Sequence, residues 1–85
     1  MKIKFLSSAK KELSKLDKNS QILIKEKLLI LAENEEKLLN NIKPLKGKYK
    51  GKFRLRVGNY RVIYEKRKAE YIILIIRIAH RKEVY

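Results

Sequence analysis

The side chains with the clearest potential for chemistry are cations spaced two residues apart in the C-terminal half of the chain. Lys52, Arg54 and Arg56 alternate with apolar residues, and Arg61 follows shortly afterwards. Ammonium and guanidinium groups at such a spacing can bind a phosphate and stabilise negative charge that develops on it. His80, the only histidine, adds a side chain that can move a proton near neutral pH. These residue types predict binding or chemistry at a phosphate group.

A tight hairpin would bring the cations onto one surface. Gly58-Asn59 predicts a two-residue turn, which places Arg56 opposite Arg61 and Arg54 opposite Ile63. Because side chains alternate along a strand, the four cations then share one face. The apolar residues that share the other face are Phe53, Leu55, Val57, Tyr60, Val62 and Tyr64. Like charges opposite each other destabilise a sheet. With no acidic partner expected, we interpret the cluster as an anion-binding site; the alternative is an ordinary solvated strand face.

Hydrophobic periodicity predicts the elements that must position these side chains. Ser7 or Ser8 can cap a first amphipathic helix, and Asn19 or Ser20 can cap a second helix that runs to about Asn34. The other predicted elements are strands at about 2–6, 52–57, 60–66 and 70–79, and a mostly loop segment at 35–47. The last strand is apolar on both faces, so we expect it inside the sheet, with the first strand on its free edge.

The order βααβββ predicts an α+β fold. Two N-terminal helices would pack on one face of an antiparallel sheet, in a single domain that spans residues 1–85. The second helix carries more apolar residues than one packing face needs. It should therefore bury two sides, one on the sheet and one on the first helix or on a partner.

Net charge points to a polyanionic partner. From Lys43 to the end there are 14 Lys or Arg against three Glu, whereas residues 1–42 carry nine Lys against six acids. A basic half of this kind favours nucleic acid, although solubility alone could also explain it. The absence of Cys excludes disulfides and thiolate zinc sites. No apolar run reaches the roughly 20 residues of a membrane span, so a cytoplasmic location is expected.

Three segments resemble the RelE family of type II toxins, in the RelE/ParE superfamily. They are residues 43–47 (KPLKG), residues 53–64 (FRLRVGNYRVIY) and residues 80–85 (HRKEVY). The resemblance implies a toxin that cleaves mRNA, commonly in the ribosomal A site, without a metal or another cofactor. It also implies a small antitoxin that wraps the toxin, and the strong positive charge of this chain suits an acidic or amphipathic antitoxin segment. Many members continue with another helix where this sequence stops at Tyr85.

The resemblance also assigns site residues. The family's basic residues of the second strand fall on Lys52 and Arg54, and its later functional positions fall on Arg61, Arg81 and Tyr85. Several relatives carry a catalytic histidine at the position of His80.

Metal-free cleavage would use the 2′-hydroxyl as nucleophile. Arg61 would hold the phosphate with the other cations of the hairpin, and His80 would act as general base or acid. Arg81 would contact the phosphate or the leaving oxygen as an electrostatic stabiliser, because arginine keeps its proton in proteins. Tyr85 would stack on the base beside the scissile bond.

Other interpretations of the same residues stay open. A ParE-like inhibitor of DNA gyrase would share the fold without RNA chemistry. A non-catalytic module that binds RNA or the ribosome would use the same basic face. A toxin that has lost its activity is a third alternative.

Overall fold

The computed structural model of the chain describes residues 1–84, with side chains described as far as Lys82. The elements are β1 (Lys2–Phe5), α1 (Ser7–Ser14), α2 (Lys18–Glu33), β2 (Ile42–Pro44), β3 (Phe53–Val57), β4 (Tyr60–Arg67), β5 (Ile72–His80) and α3 (Arg81–Val84). Short 3-10 segments at Glu35–Asn41, Gly47–Tyr49 and Lys68–Glu70 connect them. The predicted α+β fold with two N-terminal helices is confirmed.

The five strands form one sheet in the order β1-β5-β4-β3-β2. The first strand does lie on the free edge of β5, but it runs parallel to β5, so the sheet is mixed rather than purely antiparallel. Strand β2 occupies part of the segment predicted as mostly loop. Its three residues, one of them Pro44, are too few to show an alternating pattern, and they pair with β3 at the sheet edge, where proline is tolerated.

The helix starts differ from the sequence prediction. Helix α2 begins earlier than expected because Asp17 is its N-cap: one carboxylate oxygen accepts the Ser20 backbone N–H at 3.1 Å and the other accepts the Ser20 hydroxyl at 2.6 Å. These hydrogen bonds from Ser20 lower the pKa of Asp17. Helix α1 has no side-chain cap, since it begins directly after Leu6, whose N–H donates to Ile75 of β5. A strand-to-helix junction therefore replaces the expected serine cap.

The core lies between the helices and one face of the sheet, which we call the helix face. Helix α2 contributes Ile24, Leu28 and Leu31, and α1 contributes Ala9 and Leu13. The strands contribute Leu55, Val57, Val62, Tyr64, Ile73, Ile75 and Ile78. The predicted excess of apolar residues on α2 is visible as exposed side chains. Ile22, Leu23 and Leu29 lie outside the core, and Leu29 is 65% exposed.

The hairpin register follows the sequence prediction. Arg56 lies opposite Arg61, and Arg54 lies opposite Ile63. Gly58 adopts a φ of 57°, in the left-handed region that glycine favours, so the turn is closed without steric cost. The register of this hairpin fixes which residues share a face, and it therefore positions the candidate site.

Candidate functional site on the basic face of the sheet

The sheet face away from the helices carries the candidate site, which we call the basic face. It is formed by Lys43, Lys52, Arg54, Arg56 and Arg61, which alternate with helix-face residues along β2, β3 and β4 or just before them. Lys43 was missed by the sequence analysis, because it pairs with Arg54 through the unpredicted strand β2.

The centre of the basic face is closely packed around Ile63. This residue is fully buried although it points away from the helices, and its neighbours in register are Arg54 and Arg77. Long arginine stems can cover apolar surface while their charged ends stay near water. The Nε of Arg54 is buried, and it finds no hydrogen-bond acceptor among the described residues. A buried donor of this kind is suited to an incoming anionic oxygen.

Lys52 has an acidic partner that the sequence analysis did not expect. Its Nζ lies 3.4 Å from the carboxylate of Glu65. The same carboxylate accepts a hydrogen bond from the Nε of Arg67 at 2.6 Å. The hydrogen bond from Arg67, and then that from Lys52, lowers the pKa of Glu65. The other basic-face arginines of β3 differ: Arg54 and Arg56 form no ion pair with an acidic side chain that the structure describes. Of the three cations on or just before β3, the two nearer the turn are therefore the ones without an acidic partner in the described part of the chain.

His80 lies on the helix face, apart from these cations. It pairs in register with Tyr60, and the two rings meet edge to face with centroids 5.8 Å apart. Tyr60 packs against the core, and its hydroxyl oxygen accepts a hydrogen bond from the Ser20 hydroxyl at 3.4 Å. Because side chains alternate along β5, Ala79 stands opposite Arg61 instead. The structure thus does not bring His80 and Arg61 onto one face.

Arg81 stands at the end of the hairpin. It is exposed and begins α3, and its backbone N–H donates to the carbonyl of Asn59 at 2.8 Å. This bond holds the start of α3 beside the turn that separates Arg56 from Arg61. Tyr85, the remaining predicted site residue, lies outside the described residues.

An interaction of Arg77 with an aromatic side chain, Tyr49, was not predicted. The hydroxyl of Tyr49 and then the carboxylate of Glu12 raise the pKa of Arg77 through hydrogen bonding. The Nε of Arg77 lies 3.3 Å from Glu12, whose other oxygen accepts the N–H of Ile78 at 2.9 Å. These residues come from a loop, a helix and a strand that are far apart in sequence, and no local pattern links them.

An apolar groove opens on the other side of the molecule, between β1, α1 and α2. Its volume is about 450 Å³. Its apolar lining includes Phe5, Leu13 and Leu29, and its rim includes the cations Lys10 and Lys25. The exposed Leu29 shows where the unpartnered side of α2 enters this groove.

The described residues include no cluster of three His, Asp or Glu side chains placed to hold a metal ion. Within the same part of the chain, no helix combines the length and apolar character that crossing a bilayer requires.

Comparison with known proteins decides the family. A family model described as the ParE toxin of the type II toxin–antitoxin system parDE matches residues 3–85. The chain belongs to this family. It is therefore a toxin of a type II toxin–antitoxin system, in the RelE/ParE superfamily, as the resemblance to RelE implied. No curated protein matches the chain.

Solved toxin structures share this fold over nearly the whole chain. A chain of the RelB–RelE antitoxin–toxin complex from Methanococcus jannaschii is 30% identical, with 96% of this chain and 94% of that chain covered and a TM-score of 0.74. A chain of the archaeal RelE–RelB complex from Pyrococcus horikoshii is 27% identical, with 98% and 97% covered and a TM-score of 0.75. A metal-bound toxin from Helicobacter pylori is 23% identical, with 100% and 99% covered and a TM-score of 0.81, which shows the common fold.

Proposed function

We propose that this toxin is an mRNA interferase, an endoribonuclease that cleaves mRNA in the ribosomal A site without a metal ion. The observation that carries the proposal is the basic face. Arg56 and Arg61 are directly opposed there, and the buried Nε of Arg54 lies on the same face. Like charges placed directly opposite each other destabilise a sheet, and a bound phosphate would offset this repulsion.

The reaction assigned to this face is an internal transfer. The 2′-oxygen attacks the adjacent phosphorus, a 2′,3′-cyclic phosphate forms, and the bond from phosphorus to the 5′-oxygen breaks. The 2′-hydroxyl loses its proton to a base, and the leaving 5′-oxygen gains one. Arg54 and Arg61 hold the non-bridging oxygens and stabilise the charge of the transition state. Arg81, beside the turn, stabilises charge on the leaving oxygen.

Proton transfer is the step for which the described residues of this site are least suited. Glu65 is a carboxylate on the basic face, but Arg67 and Lys52 lower its pKa and make it a poor base. His80 lies on the opposite face, so a direct role for it would require the end of β5 to rearrange. With orientation supplied by the ribosome, electrostatic stabilisation can still produce a useful rate. We therefore expect weak cleavage of free RNA and stronger cleavage on ribosomes.

The test compares one mRNA in two settings. The purified toxin is incubated with the mRNA on programmed ribosomes and with the same mRNA free in solution, at matched salt, and cut positions are mapped by primer extension. Cleavage confined to the A-site codon supports the proposal. Absence of cleavage in both settings, with RNA still bound, would instead identify a non-catalytic RNA-binding module.

Inhibition of DNA gyrase is a second candidate, favoured by the match to the ParE toxin model. In this case the basic face would contact DNA or an acidic protein surface. A supercoiling assay separates the two candidates, because an mRNA interferase leaves gyrase activity unchanged. Inhibition at low toxin excess, together with intact mRNA, would replace the first proposal with the second.

We further propose that the partner is a small cognate antitoxin with an acidic, amphipathic helix seated in the groove between β1, α1 and α2. Apolar groove walls fit the apolar side of such a helix, and Lys10 and Lys25 on the rim fit its acidic flanks. The two archaeal relatives above were solved as antitoxin–toxin complexes. We also propose a cytoplasmic location, because cleavage on ribosomes requires the toxin to be in that compartment.

Leu29→Lys tests the antitoxin surface, because it puts a charge where the apolar helix would sit. We expect a large loss of affinity for the co-expressed antitoxin by calorimetry. Leu39→Lys is the matched control, since Leu39 is also exposed but does not line the groove. If the antitoxin bound both variants with equal affinity, its binding surface would have to lie elsewhere on the toxin.

A further inference from the structure

The loop between β2 and β3 brings an aromatic side chain, Tyr49, to the basic face. The loop is a compact turn: the Lys50 N–H donates to the Gly47 carbonyl, and the Lys52 N–H donates to the Tyr49 carbonyl, both at 3.0 Å. Gly47 and Gly51 have φ values of 63° and 85°, which only glycine adopts at low cost. The backbone around Tyr49 is therefore fixed on both sides.

Arg77 lies near the far end of the Tyr49 side chain. Arg77 lies opposite Ile63 in register, so it belongs to the same face and the same cross-strand row as Arg54. Hydrogen bonding with the Tyr49 hydroxyl, and then with Glu12, raises the pKa of Arg77. Glu12 lies 3.3 Å from the Nε of Arg77 and also accepts the β5 backbone N–H of Ile78 at 2.9 Å, so Arg77 is held between α1 and the sheet.

One side of the Tyr49 ring faces a cation. The Nζ of Lys48 lies over the ring, 5.6 Å from its centroid, and Tyr49 is only half-buried. An ammonium group in this position needs access to water, so this side of the ring is not packed in the core. Proteins bind unpaired bases on aromatic rings that border a positively charged surface, so a half-buried ring flanked by cations suits a base together with its phosphate.

We propose that Tyr49 is a base-stacking platform, which takes an unpaired RNA base next to the phosphate held by Arg54. Lys48 then contacts the phosphate of the stacked nucleotide. The inference rests on the proposed function, in that it assumes a single-stranded RNA on the basic face. It adds a substrate contact from a loop that lies outside the hairpin and the C-terminal segment.

A purely structural role for Tyr49 makes a different prediction. The ring could serve only to cover the apolar side chain of Ile63 at the centre of the face. Leucine at position 49 would then preserve most of this cover and leave RNA binding unchanged. Stacking requires an aromatic ring, so phenylalanine should work and leucine should not.

The experiment uses a short single-stranded RNA that carries 2′-O-methyl groups throughout, which prevents cleavage. One base is replaced by 2-aminopurine, and the replacement is moved along the strand position by position. For the unmodified toxin we expect fluorescence quenching at one position or two adjacent positions. Tyr49→Phe should keep the quenching, whereas Tyr49→Leu should lose it and bind about tenfold more weakly at the same salt concentration. Tyr71→Leu is the control, since Tyr71 is 67% exposed in the turn before β5.

The outcomes separate this inference from the proposed function. If Arg61→Ala abolishes RNA binding while Tyr49→Leu leaves both affinity and quenching unchanged, the stacking platform is wrong and the basic face stands. If the unmodified toxin binds no RNA, both are wrong.

Should Tyr49→Leu fail to fold, photocrosslinking of the unmodified toxin to 5-iodouridine RNA decides the matter. A crosslink at Tyr49, identified by mass spectrometry, supports the platform, and crosslinks at other residues alone overturn it.

Discussion

The two faces of the sheet are built from the same strands but follow opposite rules. On the helix face, Leu55, Val62 and Ile75 are fully buried and pack against the helices. On the basic face, Arg56 and Arg61 stand directly opposite each other. Apolar burial stabilises the fold, whereas opposed like charges weaken it. The comparison teaches that most of the apolar burial lies on one face, whereas the other face carries opposed charges that the proposed bound phosphate would offset.

The two faces also differ in how their charged side chains are paired. Tyr64 belongs to the helix face, and its hydroxyl donates to Glu35 at 2.8 Å, while Lys66 binds the other oxygen of the same carboxylate at 3.0 Å. Lys66 also lies over the ring of Phe53, 4.6 Å from its centroid. The charge of Lys66 on this side is thus matched to both an acid and a ring. The basic face lacks such matching at Arg54 and Arg56 among the described residues.

The largest expected effect tests the helix face. Leu55→Ala should lower the free energy of unfolding by about 2–5 kcal/mol, because it leaves a cavity beneath α2. Urea denaturation followed by circular dichroism measures this change. Leu29→Ala is the control, since its exposed side chain should cost no more than about 0.5 kcal/mol. Equal losses for the two variants would mean that the helix face is not the stabilising one.

An intermediate effect is expected at Tyr64. Tyr64→Phe removes the hydrogen bond to Glu35 and should cost about 1 kcal/mol. Burial, and then this hydrogen bond, raises the pKa of Tyr64 above its ordinary value of about 10. The protonated form is therefore favoured by folding, so stability is complete below about pH 10 and falls as the pH rises above it.

Thermal melting at pH 8 and at pH 10.5 checks the pH dependence. Tyr64→Phe should show a smaller decrease between the two pH values than the unmodified toxin, whereas Tyr71→Phe should match the unmodified toxin. A decrease that is the same in all three proteins would show that Tyr64 does not control the alkaline transition.

The smallest effect on stability is expected on the basic face. Arg56→Gln relieves the repulsion with Arg61, so the free energy of unfolding should stay within about 0.5 kcal/mol or rise. RNA affinity should nevertheless fall, and the slope of log affinity against log salt should decrease by about one, as for the loss of one phosphate contact.

Arg67→Gln is the matched control for that variant. Arg67 is an arginine on the same hairpin, but it is already paired with Glu65 at the other end of β4. We expect its salt slope to equal that of the unmodified toxin. A slope change at Arg67 as large as that at Arg56 would indicate general charge attraction rather than a defined site.

Local patterns were sufficient to predict the hairpin but not its surroundings. Gly58-Asn59 and the alternation of cations with apolar residues determine the register, so the pairing of Arg56 with Arg61 was predictable. Strand β2 is too short to carry a period, and for this reason Lys43 was missed. The same alternation, applied to β5, puts His80 on the helix face beside Tyr60, which the resemblance alone did not reveal.

Contacts between distant segments were beyond any local pattern. Glu12 caps the β5 backbone and binds Arg77 because β1 ends before β5 does and α1 takes its place at the sheet edge. The contact between Tyr49 and Arg77 depends in turn on how the β2–β3 loop folds over the sheet. Such contacts form only when the sheet is assembled, so local sequence patterns could not predict them.

Single-turnover cleavage of an A-site codon on programmed ribosomes tests most directly whether the basic face is a catalytic site. The unmodified toxin is compared with Arg61→Ala and with Arg67→Ala, after circular dichroism has shown that all three are folded. We expect Arg61→Ala to lower the rate constant by about 100- to 1000-fold, as for the loss of one group that stabilises the transition state, and Arg67→Ala to cleave like the unmodified toxin. Cleavage by Arg61→Ala at the unmodified rate would contradict the assignment of catalysis to this face.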